Sequence, residues 1–287
     1  MNTTAQFDTQ LARTAQRCRA HPGFFRSLAW GAIPTSSFAA QGAGFEAGIP
    51  AGWICTGNCG TLGASGVVTL APGGHARYGY VVSEQAVVGV SAWSDRFEED
   101  GSVLRTPAFQ AAAGDPLRFN FNLVFSDGAS GEYAATDYAW ARLLHAADGT
   151  EAHVLVTLTM EQLTPGLWGW SLLPPGVASL SPAPVLTIPG APNWLPLGLS
   201  PDACWGTGCG QTDWVNAEFT MPTAGAYVLE FGAIDGRDTY FPVGLAFDDI
   251  TIAGNPISAV PEPASWALLL AGLATVSWRR RVLNVPH

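Results

Sequence analysis

The run Leu117-Arg-Phe-Asn-Phe-Asn-Leu-Val-Phe125 alternates cleanly: Leu117, Phe119, Phe121, Leu123 and Phe125 fall on one side, Arg118, Asn120 and Asn122 on the other. Successive side chains of a strand point to opposite faces, so the run buries one face and leaves the other to water. Asp127-Gly128 closes it with a turn. Tyr227, Leu229 and Phe231 repeat the pattern before the loop Asp235-Gly236-Arg237-Asp238. A one-sided strand needs a second apolar layer, so a chain built from such runs must stack sheet on sheet. Further strands are expected at Gly66–Leu70, Ala76–Val82, Ala86–Ala92, Val154–Leu158, Asp213–Thr220 and Gly244–Ile252. In the last of these, Leu245 and Phe247 are odd-numbered while Ile250 and Ile252 are even. The inward face must change parity, which predicts a β-bulge at Asp248-Asp249.

Tyr138-Ala-Trp-Ala-Arg-Leu-Leu144 contains helix-forming residues, but its shortness between turn signals favours a strand. The proline-rich stretch from Pro174 to Pro196 reads as a long irregular connection. With 33 Gly, 21 Pro and only 13% charged residues, the composition is that of a turn-rich β protein. The expected fold is all-β: about ten short strands in a two-sheet antiparallel sandwich, read as a jelly roll of the galactose-binding-like kind. It is followed by a single C-terminal transmembrane helix.

Three regions result. Residues 1–40 read as a leader: Arg13, Arg17, Arg19 and Arg26 supply basic charge, and Ser36-Ser-Phe-Ala-Ala40 resembles a cleavage site. The apolar stretch between them, Ser27 to Ile33, is thin, so either the leader is degenerate or the start is misassigned. Residues 41–257 form the sandwich domain and 258–287 a separate tail. Between leader and tail there are 6 Arg, no Lys, and 21 Asp and Glu, a balance of −15. Such a body repels nucleic acid and anionic lipid.

Four cysteines of the body form two close pairs, Cys55 with Cys59 and Cys204 with Cys209. No histidine lies near either pair, and export favours disulfides over zinc. Three pairings are open to four cysteines. The glycine-rich surroundings permit tight local turns, favouring Cys55–Cys59 and Cys204–Cys209.

The tail has three parts in order. Val260-Pro261-Glu262-Pro263 stays extended, because two prolines hold φ and withhold backbone donors. Ala264 to Trp278 is uncharged and rich in Leu and Ala, a helix starting where proline is tolerated. It spans about 22 Å against a hydrocarbon core of roughly 30 Å, so it anchors weakly. Arg279, Arg280 and Arg281 then stop transfer and stay cytoplasmic. This order resembles the PEP-CTERM sorting signal of Gram-negative bacteria. The resemblance implies export, passage through the inner membrane, and recognition and cleavage near Pro-Glu-Pro by an exosortase. It also implies a final place at the cell surface or in an exopolysaccharide-rich, biofilm-type matrix.

Further stretches resemble an exported PEP-CTERM family of uncharacterised function. They are Ser126-Asp-Gly128, Asp137-Tyr-Ala-Trp-Ala-Arg-Leu-Leu144, Trp194-Leu-Pro-Leu-Gly198, Cys204…Cys209-Gly210, Trp214, Tyr227-Val-Leu-Glu-Phe-Gly232 and Gly244-Leu-Ala-Phe-Asp-Asp-Ile250. That resemblance implies an exported β-domain and carries no activity with it.

Gly44-Phe45-Glu46 opens the body and Ala246-Phe247-Asp248-Asp249 closes it. Carbohydrate-binding jelly rolls are similar at both ends, where a Glu and an Asp meet across the sandwich on a structural Ca²⁺. Glu46 and Asp248 are therefore candidate calcium ligands, needing carbonyls and water besides. The alternative is that Glu46 and Asp249 cap turns and face water. Among the tryptophans, Trp168, Trp170 and Trp205 fall in loops and are candidates for stacking on sugar rings. No Gly-x-Ser-x-Gly elbow, phosphate loop or HExxH occurs, and His75, His145 and His153 are scattered. The expectation is a non-enzymatic structural or adhesive protein with exosortase as partner. The alternatives are a carbohydrate-binding module that contacts extracellular polysaccharide and a secreted glycoside hydrolase.

Overall fold

A computed structural model describes residues 44–93, 100–127, 137–163, 173–186, 190–205, 208–236 and 239–257. The leader, Trp168, Trp170, the sorting motif Val260–Pro263, the tail helix and Arg279–Arg281 lie outside these residues. Among the described residues no helix is long and apolar enough to cross a membrane.

The chain opens with β1 (Ile54–Thr56), β2 (Asn58–Leu62), β3 (Tyr78–Val82) and β4 (Val87–Val88). Next come β5 (Asp100–Arg105), β6 (Phe109–Ala111), β7 (Pro116–Phe125), β8 (Tyr138–His145) and β9 (Glu151–Thr159). A single helical turn, α1 (Met160–Leu163), follows β9. The remainder are β10 (Ser179–Ser181), β11 (Gly210–Gln211), β12 (Val215–Thr220), β13 (Gly225–Asp235), β14 (Val243–Ile252) and β15 (Asn255–Pro256).

Two antiparallel sheets result. The first runs β1-β5-β13-β8-β9, with β4 on β5 and β6 on β13; the second runs β10-β12-β7-β14-β3-β2, with β11 on β7 and β15 on β14. Tyr138–Leu144 lies within strand β8, as its shortness suggests. The Pro174–Pro196 connection contributes, among its described residues, only the short β10 and a 3₁₀ turn at Leu195–Leu197. Gly66–Leu70 is not a strand: it holds only an isolated bridge between Ser65 and Val68, a turn packed on a neighbouring loop. Strands β1 and β2, which carry Cys55 and Cys59, and strands β5 and β6 show no clear alternation in the sequence.

The inner faces meet as expected. Leu117, Phe119, Phe121, Leu123 and Phe125 of β7 and Leu245 and Phe247 of β14 pack against Leu229 and Phe231 of β13 and Leu143 of β8, all buried. Phe231 and Phe247 stack across the interface at 4.1 Å and 6°. Phe119 meets Phe231 edge-on at 5.2 Å. Gly79 of β3 leaves room for this group, since a Cβ there would press on Phe45 and Phe247.

The outer face of β7 departs from expectation. Arg118 faces water, but Asn120 and Asn122 are buried. Loops cover this sheet: Val68, Trp194 and Leu197 pack on Tyr78, Val82, Val124 and Ala246 in a second apolar layer. Trp194 donates its Nε1–H to the Tyr78 hydroxyl at 3.0 Å and lies over Gly244, where a Cβ would overlap the indole. Burial pushes the Tyr78 phenol up to about 12, against the opposing indole hydrogen bond. Asn122 donates from Nδ2 to Gln211 Oε1 at 2.7 Å, while its buried Oδ1 has no partner among the described residues.

Candidate functional site

The bulge expected at Asp248-Asp249 organises a polar corner of the sandwich. The register of β14 against β7 shifts between Asp248 and Thr251, and Asp249 takes φ +56°. With Phe247 and Ile250 both inward, two consecutive carboxylates are left on the outer side, an arrangement regular alternation forbids.

Three further segments converge on them. Phe45 is buried against Phe247 (5.6 Å) and Trp53 (5.3 Å), which holds Glu46 at the rim. Glu46 Oε1 accepts the Ala76 N–H at 2.7 Å. The Gly73-Gly74-His75 turn then brings His75 Nδ1 to 3.0 Å from Asp248 Oδ2 and 3.4 Å from Asp249 Oδ1. Asp249 Oδ2 accepts from Gly73 N at 3.1 Å and from Asn120 Nδ2 at 2.6 Å. Asn120 is oriented in turn by Asn216, whose Nδ2 donates to Asn120 Oδ1 at 3.0 Å. A Cβ on Gly73 would overlap the Asp249 carboxylate, so the close approach of this turn requires glycine.

Charge and burial pull in opposite directions here. Asp248 is 1% exposed, and its Oδ1 has no hydrogen-bond partner among the described residues. Burial raises the Asp248 carboxyl above its ordinary value despite the opposing Asp249 N–H and His75. Burial alone would lower the His75 imidazole, but Asp248, Asp249 and Glu46 together outweigh it and hold His75 above its ordinary value. Both groups therefore keep their protons to higher pH than in water.

Of the two residues read from sequence as cation ligands, Asp248 is at the centre and Glu46 at the edge. Glu46 and Asp249 also accept backbone N–H groups of the 73–76 segment. His75 and Asp249 complete the cluster and were missed. The parity change was the signal for Asp249, and the Gly73-Gly74 pair ahead of a histidine was a weak one for His75. His75, Asp248 and Asp249 each bring a ligand atom within 4.8 Å of the others.

Trp205 is 60% exposed, and its ring lies 5.8 Å from that of Phe241, next to exposed Tyr240. Its backbone N–H bonds Ser126 O, which places it at the end of β7 where β14 begins. Trp140 and Trp194 are wholly buried, and Trp214 donates to Thr69 O at 3.0 Å. The structure bonds Cys55 to Cys59 and Cys204 to Cys209, stapling two tight loops.

Comparison with known proteins bears on the tail. Residues 259–281 match the model of the PEP-CTERM protein-sorting motif. No curated protein matches the chain. Among solved structures it is similar to the K1 cleaved adhesin domain of Lys-gingipain from Porphyromonas gingivalis W83, at 14% identity over 72% of this chain and 95% of that one, with TM-score 0.35. It is also similar to the K3 cleaved adhesin domain of the same protein, at 16% identity over 73% and 96%, with TM-score 0.36.

Proposed function

We propose that this chain, which carries a PEP-CTERM sorting signal and is therefore exported as an exosortase substrate, is a non-enzymatic structural or adhesive protein of the outer surface or extracellular matrix. The single observation behind this reading is the motif at residues 259–281, which begins directly after the described sandwich ends. In this reading Pro261, Glu262 and Pro263 are what the exosortase grips. Ala264–Trp278 holds them in the inner membrane during transit, and Arg279, Arg280 and Arg281 set the orientation. Residues 1–40 direct export, and the sandwich is the cargo, a jelly roll of the galactose-binding kind. Disulfides in two of its loops suit an oxidising, exopolysaccharide-rich setting.

Mass spectrometry of the C-terminus of secreted material tests this. The expected product lacks the helix and arginines and ends near Pro263. Replacing Pro261, Glu262 and Pro263 with alanine is expected to leave the full-length chain in the membrane fraction. Secreted chains that retain His287, or variant chains processed like the parent, would defeat the reading.

The exposed Trp205, with Phe241 and Tyr240 beside it, supports a second reading, carbohydrate binding at that end of the sandwich. Sugar stacking uses an exposed aromatic face, and a sugar ring lies flat on indole. If this is the ligand site, the chain is retarded on a polysaccharide affinity gel and Trp205→Ala abolishes the retardation. Equal elution of parent and variant removes the second reading and leaves the first intact.

A further inference from the structure

We propose that His75, Asp248 and Asp249 form a binding site for a first-row divalent metal ion of the Zn²⁺ class, which ties the Gly73–His75 turn to the last long strand. The observation that asks for a ligand is Asp248 Oδ1: it is buried, unpartnered among the described residues, and part of the carboxylate that already faces His75. A buried carboxylate oxygen left without a partner is costly, and a cation is the partner that suits it.

The donor set selects the ion. Calcium takes six to eight oxygens and is the ion expected from Glu46 and Asp248 alone. Here the imidazole Nδ1 stands between the two carboxylates, at 3.0 and 3.4 Å. Asp249 Oδ2 and Glu46 Oε1 are committed to backbone or amide N–H groups. One nitrogen and the remaining oxygens make a poor calcium shell, but they suit a four-coordinate N/O site. Ligand bonds of about 2.0–2.2 Å around a tetrahedral ion place neighbouring donors roughly 3.3–3.6 Å apart, near the 3.0 and 3.4 Å seen. Glu46 lies on the open side, where it or water completes the shell.

The supporting shell is already built. Asn216 orients Asn120, and Asn120 holds Asp249 Oδ2, so Asp249 Oδ1 is the oxygen turned to the site. Such outer hydrogen bonds are what fix metal ligands before the ion arrives.

The test uses the full chain stripped with chelator, titrated calorimetrically with ZnCl₂ and separately with CaCl₂. The expected result is one Zn²⁺ per chain, bound at least about 100-fold more tightly than Ca²⁺. His75→Ala removes a partly exposed side chain, so it should fold, which circular dichroism verifies. It is expected to weaken Zn²⁺ at least about 100-fold, since even outer-shell changes cost 10–100-fold. Co²⁺ should give the intense visible absorption of a four-coordinate site in the parent and lose it in His75→Ala. Stoichiometric Ca²⁺ binding that His75→Ala leaves unchanged overturns the proposal, as does Zn²⁺ bound equally by both proteins or by neither. None of these outcomes touches the sorting signal, so the functional reading stands or falls separately.

Discussion

Replacing Glu230 with alanine is expected to destabilise the sandwich by about 3 kcal/mol, near the lower end for breaking a buried ion pair. Glu230 is fully buried on the outer face of the first sheet, directly opposite Arg105 of β5 and Arg142 of β8. Its Oε2 accepts from Arg105 Nε at 2.6 Å, and its Oε1 accepts from Arg142 Nε at 2.6 Å and Trp140 Nε1 at 2.9 Å. Arg105 is 44% exposed and can turn to water, so it contributes little to the loss. Arg142, at 12% exposed, keeps Ala92 O and Glu151 through its Nη1, but its Nε–H and the buried indole N–H would lose their acceptor. Urea denaturation measures the change. Converting Glu230 to Leu together with Arg105→Met and Arg142→Met should cost less than Glu230→Ala alone, because the charge this leaves unpaired, Glu151, is 35% exposed and can be solvated. A triple variant weaker than the single one would mean that the ion pairs themselves stabilise the fold.

Phe247→Ala is expected to cost about 3–5 kcal/mol, the range for deleting a fully buried aromatic ring. Phe247 is the ring on which both sheets close, stacked on Phe231 and touching Phe45 edge-on. Neighbours on two sheets cannot collapse into the space without moving both backbones, so a cavity remains. Phe247→Leu retains more of the volume and should lose clearly less. The denaturation midpoint of each variant decides this; a Phe247→Ala loss under about 0.5 kcal/mol, typical of surface changes, would mean the ring is not a packing centre.

Both residues sit in stretches that carry the resemblance to an exported family, and the structure gives these stretches a packing role. Trp140 lies against Gly232, its cross-strand partner, where a Cβ would overlap the indole. Trp194 uses Gly244 in the same way on the other sheet. Tyr227-Val-Leu-Glu-Phe-Gly232 is therefore a core segment on both faces: Phe231 inward, Glu230 and Gly232 seating the charge cluster and the tryptophan outward.

How much of this was legible differs by element. β7, β8, β13 and β14 could be read because period-two alternation or run length is a local property of the chain. The bulge could be read too, since Phe247 and Ile250 cannot both face inward on a regular strand. Burial of Asn120 and Asn122 could not, because it depends on loops distant in sequence lying over that face. For the same reason the likeness of the chain ends points to Glu46 and Asp248, while nothing in the local spacing of His75 points to carboxylates 173 residues away.

Sequence alone determined the sheet-forming runs, the change of face at Asp248-Asp249 and the sorting signal, since each depends on residues adjacent along the chain. Tertiary structure alone decided which loops cover the second sheet, that Glu230 gathers two arginines and an indole, and that an imidazole reaches the paired carboxylates. Those contacts join segments about a hundred or more residues apart, and their partners are selected by packing, which no local spacing encodes.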